Sequence, residues 1–335
     1  MISATNTEIK SAAEAAGLLY LGAVPLHYPE AYARFAQWLA QGLHGTMGYL
    51  ENHAEIRQQP ERLLPGARSA HVFALAYFKP ELGPEPRVAL YAHYADYHRV
   101  LRERLETLAE RFWPREDFRA VVDSAPVLER ALAAQTARGF IGKNTLYIHP
   151  EHGSFLLLGE VLVKEQAAWD VPPVIPLERK TREGGCGPCR LCQTACPTGA
   201  LRVDYQIDAQ RCLSYWTIEQ RGTIPVEFWE GVGRYYFGCD LCQLACPYNK
   251  NGMRGNLEPR EYPDLFTVAT MDQVTYEKWF GGTPLTRAKR SGLRRNALIA
   301  MAVRGDSRLE EALALVADED VLVSTREQIR DYKRD

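Results

Sequence analysis

All eight cysteines of this 335-residue chain lie between positions 186 and 246. Their order constrains the fold more than any other feature. Cys186, Cys189, Cys192 and Cys196 precede Pro197, giving C-x2-C-x2-C-x3-C-P, the run of bacterial two-cluster ferredoxins. Cys212, Cys239, Cys242 and Cys246, the last followed by Pro247, form the second set. In such proteins the fourth cysteine of each run ligates the other cluster. Cluster one is then expected on Cys186, Cys189, Cys192 and Cys246, and cluster two on Cys212, Cys239, Cys242 and Cys196. Two 4Fe-4S centres that share their ligand runs must lie close together and conduct electrons. Structural zinc is disfavoured, because its C-x2-C pairs do not usually carry a third cysteine two residues on. Disulfides need an oxidising compartment. The polar stretch Met1–Lys10 has no export-signal pattern, so a cytoplasmic protein is expected. Residues 213–238 separate Cys212 from the next cysteine, far more than a compact ferredoxin allows. Their aromatics, Tyr215, Trp216, Phe228, Trp229, Tyr235, Tyr236 and Phe237, could cover a substrate or pack on a neighbour.

The chain is too long for a ferredoxin alone and has room for two or three domains. No apolar run approaches the ~18 residues of a membrane span. Net charge is −2, so global charge requires no polyanion partner. Local charge does not exclude one. The first half alternates helical and strand patterns. Ile9, Ala12, Ala13 and Ala16 mark a helix face, and Leu18 to Val24 and Ala70 to Tyr77 read as buried strands. Asp96 to Phe112 has helical period through Val100, Leu101, Leu105 and Leu108. Ala120 to Asp123 reads as a strand end and Val127 to Ala137 as a helix. Tyr147 to Val163 reads as a hairpin turning at Pro150–Gly153. The proline-rich Val171–Pro176 is a linker. At the C-terminus, Leu293, Ala297, Leu298 and Met301 recur at helix spacing, Gly305 to Ser307 breaks the helix, and Leu309, Leu313 and Val316 start another. Such a pair resembles one HEAT repeat, which must dock on a neighbour to bury its apolar face.

Two tempting motifs fail. Gly142-Lys143-Asn144-Thr145 lacks the earlier glycine of a phosphate loop, since Ala137 stands there. Asp96-Tyr97-His98 begins like the cobalt-ligating D-x-H-x-x-G, but Leu101 replaces its glycine. His98 is therefore expected as a hydrogen-bonding side chain. In Val121-Val122-Asp123-Ser124-Ala125-Pro126, Asp123 reads on spacing alone as a helix cap, or else as a general acid at a strand end. Arg287, Lys289, Arg290, Arg294 and Arg295 form a dense basic run. It reads either as a solvated helix face or as a phosphate-binding footprint.

Asp123 to Arg130 with Gly142-Lys143-Asn144, Gly153-Ser154 and Gly159-Glu160 resembles the epoxyqueuosine reductase family. So do Ala195 to Ala200, Arg211-Cys212, Gly238-Cys239-Asp240, Cys242-Gln243 and Arg295-Asn296-Ala297. The resemblance covers nearly the whole chain. It implies an α+β multidomain protein with three parts. These are a reductive-dehalogenase-like cobalamin-binding α/β domain (1–170), a two-cluster ferredoxin-like domain (171–258) and a C-terminal HEAT-like helical segment (259–335) that holds tRNA. The implied reaction is reduction of epoxyqueuosine to queuosine at the tRNA wobble position. The implied cofactors are two 4Fe-4S clusters and cobalamin, with no side chain on cobalt. Electrons would come from an external donor. By the same resemblance Asp123 matches the proton donor, which requires shielding if a carboxyl of ordinary pKa about 3.9 is to stay protonated. Arg57, Tyr147, Leu158, Ser214 and Asp240 match cobalamin-contacting positions, with Asp96 and His98 completing the pocket. The competing readings are a cobalamin-dependent reductive dehalogenase, a non-catalytic iron–sulfur electron-transfer protein and an RNA-binding iron–sulfur protein without catalysis.

Overall fold

The computed structural model describes residues 5–78, 85–168, 185–316 and 320–332. The expected linker at Val171–Pro176 lies outside them. The described strands are β1 (Leu19–Pro25), β2 (Ser69–Ala76), β3 (Arg87–Val88), β4 (Phe118–Val122), β5 (Phe140–Ile141), β6 (Tyr147–Ile148), β7 (Leu156–Val163) and β8 (Tyr235–Phe237). Four of them form an antiparallel sheet in the order β1-β2-β7-β4.

Both faces of this sheet are covered, as its nearly unbroken apolar strands require. Side chains alternate across a strand. Phe73 and Leu75 join Val161 and Val163 on one face, under the helices Asn6–Ala15 and Tyr97–Ala109. Ala70, Val72 and Ala74 join Leu162 on the other, under the helix Glu129–Gln135. Leu101 and Leu105 are fully buried, and each contributes about 1.5–3 kcal/mol by leaving water. The first helix starts at a capping box, Thr5 with Glu8, and Asp96 caps the Tyr97 helix through the His98 N–H.

The expected hairpin from Tyr147 to Val163 is not formed. The chain does turn back at His149–Gly153, but β6 pairs with β5, and β7 runs between β2 and β4. The two apolar runs therefore serve different sheets. Gly153 makes this turn at φ +74°, and a Cβ there would collide with Asn249 Oδ1. The same Asn249 oxygen accepts the Ser154 N–H at 2.7 Å, which fastens the turn beside Cys246-Pro247.

The aromatic insert packs on the C-terminal helices. Trp229 and Phe237 are fully buried in one core with Leu293, Ala297, Leu298 and Met301. The helix Lys289–Arg304 ends at Gly305 in the left-handed conformation, as the sequence break predicts. That core also takes in Val88 and Ala92, and β3 pairs with β8. One core thus crosses the expected division at about residue 258. No helix among the described residues is long and apolar enough to cross a membrane.

Candidate active site and cluster sites

The cysteines gather in two groups, each completed from the other run. Cys246 feels Cys186, Cys192 and Cys189 electrostatically. The same four line a cavity of about 500 Å³ with Lys143, Tyr248 and Leu191. Cys239 feels Cys212 and Cys196, and Cys242 feels Cys239 and Cys212. All eight thiols are free of disulfides. Among the described residues no three His, Cys, Asp or Glu side chains close on a single-ion position. Burial pushes the Cys239 thiol up to about 12 and Cys246 to about 11, so they are poor thiolates until a metal deprotonates them.

β4 ends at Val122, and Asp123 is the next residue. It is not a helix cap. The following helix begins at Glu129 with Leu128 in the cap position, and the Ser124 hydroxyl accepts from Arg102. Asp123 Oδ2 instead accepts the Tyr97 hydroxyl at 2.8 Å and lies 3.0 Å from His98 Nε2. His98 Nδ1 is 2.6 Å from Asp96 Oδ1. The imidazole therefore bridges two carboxylates, a role that the sequence left at hydrogen bonding. Tyr97 was missed because its hydroxyl reaches Asp123 only when the helix packs on the sheet.

Electrostatics assign the resting proton. For His98, burial opposes charge, but the hydrogen bonds and charges of Asp123 and Asp96 prevail and raise its pKa. For Asp123, burial raises, but His98 and Tyr97 prevail and lower it. Asp123 at rest is thus a carboxylate, and its charge favours a proton on His98. This departs from the expectation of a shielded, protonated aspartate. The reason is an imidazole within hydrogen-bond reach and a side chain still 57% exposed.

That exposure opens onto a hollow beside Asp123. Tyr91 feels Asp123, Asp240 and Glu219 together, so Asp123 and the Asp240 of the cluster-two run lie within electrostatic reach of one tyrosine. Tyr147 and Leu158 belong to one apolar cluster of the sheet. Ser214 and Asp240 stand beside Cys212 and between Cys239 and Cys242. Asp240 is buried, accepts the Leu90 N–H at 2.8 Å and is pushed up to about 7, chiefly by burial. Arg57 is buried, donates to the Leu50 carbonyl at 3.1 Å and lies over the Phe35 ring. A guanidinium has five donors, so most remain for a guest. Tyr147 and Leu158 supply apolar surface and Arg57 and Asp240 buried polar groups, the chemistry that a flat macrocycle fringed by amides would need.

The basic run divides. Arg294 and Arg295 have 2% and 0% of their surface exposed, which excludes the expected contact with tRNA phosphate. Arg294 Nε donates to the Ala269 carbonyl at 2.9 Å. Arg295 donates to the carbonyls of Trp216, Gln220 and Gly222 and to Asn296 Oδ1. Arg290 is half-buried, with one nitrogen on the Met271 carbonyl. Lys289 and Arg287 are exposed. Arg287 pairs with Glu219 at 3.0 Å and lies over the Tyr49 ring, and its charge is felt at Asp123. It therefore borders the hollow.

Two crossed groups of four cysteines together with an acid–imidazole chain are the parts of a double-cluster iron–sulfur oxidoreductase. Residues 185–249 match the 4Fe-4S double cluster binding domain, and residues 57–124 match "Epoxyqueuosine reductase QueG, DUF1730". The epoxyqueuosine reductase of Pseudomonas aeruginosa is 36% identical over 85% of this chain and 81% of its own. The structure of the Streptococcus thermophilus epoxyqueuosine reductase superposes with TM-score 0.84 at 26% identity, covering 98% of this chain and 93% of that one. An epoxyqueuosine reductase crystallised with a tRNA-Tyr epoxyqueuosine-modified stem loop matches with TM-score 0.82 at 29% identity, over 96% and 88%. The chain belongs to the epoxyqueuosine reductase family.

Proposed function

We propose that this chain reduces epoxyqueuosine in tRNA to queuosine, with cobalamin in the hollow and two 4Fe-4S clusters on the two cysteine groups. The Asp96–His98–Asp123 chain, in a protein with two crossed cysteine groups, carries this reading. Cobalamin, when bound and reduced, supplies a strong nucleophile or electron donor at the epoxide carbon. Arg57, Tyr147, Leu158, Ser214 and Asp240 would hold it.

The residues of the chain manage the protons. Opening an epoxide and losing its oxygen as water consumes two electrons and two protons. His98 stores one proton between Asp96 and Asp123. Filling the hollow with corrin and nucleoside removes water, and low dielectric disfavours the charged pair relative to the neutral one. The proton then moves from Nε2 to Asp123 Oδ2, which presents it to the epoxide oxygen. Tyr97 holds that oxygen in place. Arg287 and Lys289, the exposed members of the basic run, would meet the tRNA backbone. We assign cofactor and proton handling to residues 1–170, electron entry to 171–258 and tRNA support to 259–335.

Asp123→Asn tests the assignment. The amide is nearly isosteric and cannot donate an acidic proton. Cluster content, cobalamin uptake and tRNA binding should persist, while epoxide reduction falls roughly 10²–10⁴-fold, the contribution of a positioned general acid. Turnover close to wild type would remove Asp123 from the mechanism.

A further inference from the structure

The strand β7 is apolar but for Glu160. Its register puts Val72 on one side and Val121 on the other. Glu160 has no exposed surface, and neither carboxyl oxygen has a hydrogen-bond partner. An unpaired carboxylate in such a place goes neutral rather than bear the cost of desolvation. Burial accordingly raises Glu160 to about 8, with the charge of Asp123 adding to it. Glu129 starts the helix packed on the same face of the sheet. Its Oε1 is buried without a partner, and burial, Glu160 and Asp123 all push its pKa up.

The groups around the two acids offer little to ionise them. The Tyr28 hydroxyl stands at the Leu128 N–H and is itself held neutral by burial and by Glu160. Arg130 donates to the Thr145 carbonyl and hydroxyl, and its charge opposes the rise at Glu129 without overcoming burial. Arg57 and Glu61 are felt at Tyr28. Val121 faces Glu160 and Val122 faces Gly159, so Asp123, one residue on, falls diagonal to Glu160. The charge of Asp123 is felt at both Glu160 and Glu129, so the three carboxyls lie within electrostatic reach of one another.

We propose that Glu129 and Glu160 are relay residues that keep a proton beneath the hollow and deliver it to Asp123 for the second protonation. The proposal rests on the reading of the site as one that reduces an epoxide. One epoxide, two electrons and two protons give one alkene and one water. The electrons enter through the clusters. Asp123, recharged once by His98, supplies the first proton when the carbon–oxygen bond opens. The acid pair then protonates Asp123 again, and the second proton leaves with the oxygen as water. One of the two acids is left as a carboxylate, and solvent reprotonates it after the product departs.

Glu160→Gln in the cluster- and cobalamin-loaded enzyme tests this in two ways. The infrared difference spectrum of wild type minus variant, taken near neutral pH without substrate, should contain the C=O stretch of a protonated carboxyl that shifts in D2O. With epoxyqueuosine-tRNA, kcat should fall about tenfold or more with KM nearly unchanged, and its solvent deuterium isotope effect should rise. Should Glu160→Gln fail to load its cofactors, Glu129→Gln, at a half-buried position, gives the same readouts. Absence of the protonated-carboxyl band, or an unchanged kcat and isotope effect, overturns the proposal. A wild-type enzyme that carries the band but leaves epoxyqueuosine intact overturns the functional reading instead.

Discussion

Arg295→Ala separates a structural arginine from an RNA-binding one. Arg295 is fully buried and makes five hydrogen bonds, three of them to the carbonyls of Trp216, Gln220 and Gly222. Burial pushes its pKa down to about 9, so it stays charged at neutral pH. Truncation leaves three carbonyls without their donor. At roughly 1 kcal/mol each, the lower end of the cost because these bonds are part-buried, the loss is about 3 kcal/mol. The void left by the side chain adds about 1 kcal/mol. Relief of the cation's own desolvation works against this sum, and the fork's fit to three acceptors makes that relief the smaller effect. A loss near 4 kcal/mol lowers the melting midpoint by about 8 °C or more at roughly 2 °C per kcal/mol in a chain of this size. Anaerobic melts of the cluster-loaded proteins followed by circular dichroism measure it. Below its melting point the variant should bind tRNA with unchanged salt dependence. A variant that melts with wild type, yet loses about one unit of log-log salt slope, would refute the burial argument and restore Arg295 to the RNA interface.

Three further outcomes follow from the site. Cys196→Ala should damage the cluster on Cys212, Cys239 and Cys242 and spare the other, as read by electron paramagnetic resonance after reduction; selective loss of the first cluster would break the crossed assignment. The His98 imidazole should titrate above the ordinary 6.5 by NMR and drop in Asp123→Asn, because a carboxylate holds its proton. Its folded-state value is raised, so the stability it contributes is complete below the unfolded pKa and is lost as pH rises through the folded one. Tyr97→Phe removes the donor 2.8 Å from Asp123 and should slow turnover about tenfold with tRNA affinity unchanged, whereas weaker tRNA binding at full kcat would place Tyr97 outside proton handling.

The cysteine spacing, the strand at Ala70 to Tyr77 and the helix after Asp96 were legible because each carries its own local signal: ligand order, an apolar run, a cap with period. Arg294 and Arg295 were not. A helical arginine run reads the same whether it meets water or carbonyls, and here the carbonyls come from residues 216–222 of the insert, far away in sequence. The failed hairpin has a similar cause. Tyr147-Ile148 and Leu156–Val163 flank a true turn, and only the sheet decides that their partners lie elsewhere. Asp123 as a cap was ruled out by where the next helix starts, a boundary that Pro126 obscured. Glu160 did carry a signal, a lone acid inside an apolar strand. Its partner Glu129 became visible only once helix and sheet were packed.

The central claim is that one hollow brings the clusters, a corrin and the Asp123–His98 pair to a single epoxide. Its most direct test is nucleoside mass spectrometry of epoxyqueuosine-tRNA incubated anaerobically with the reduced, cluster-loaded protein, with and without cobalamin. Queuosine should form only with cobalamin, which should bind in equimolar amount. Queuosine formed equally well without it, or no queuosine from fully loaded protein, would contradict the account.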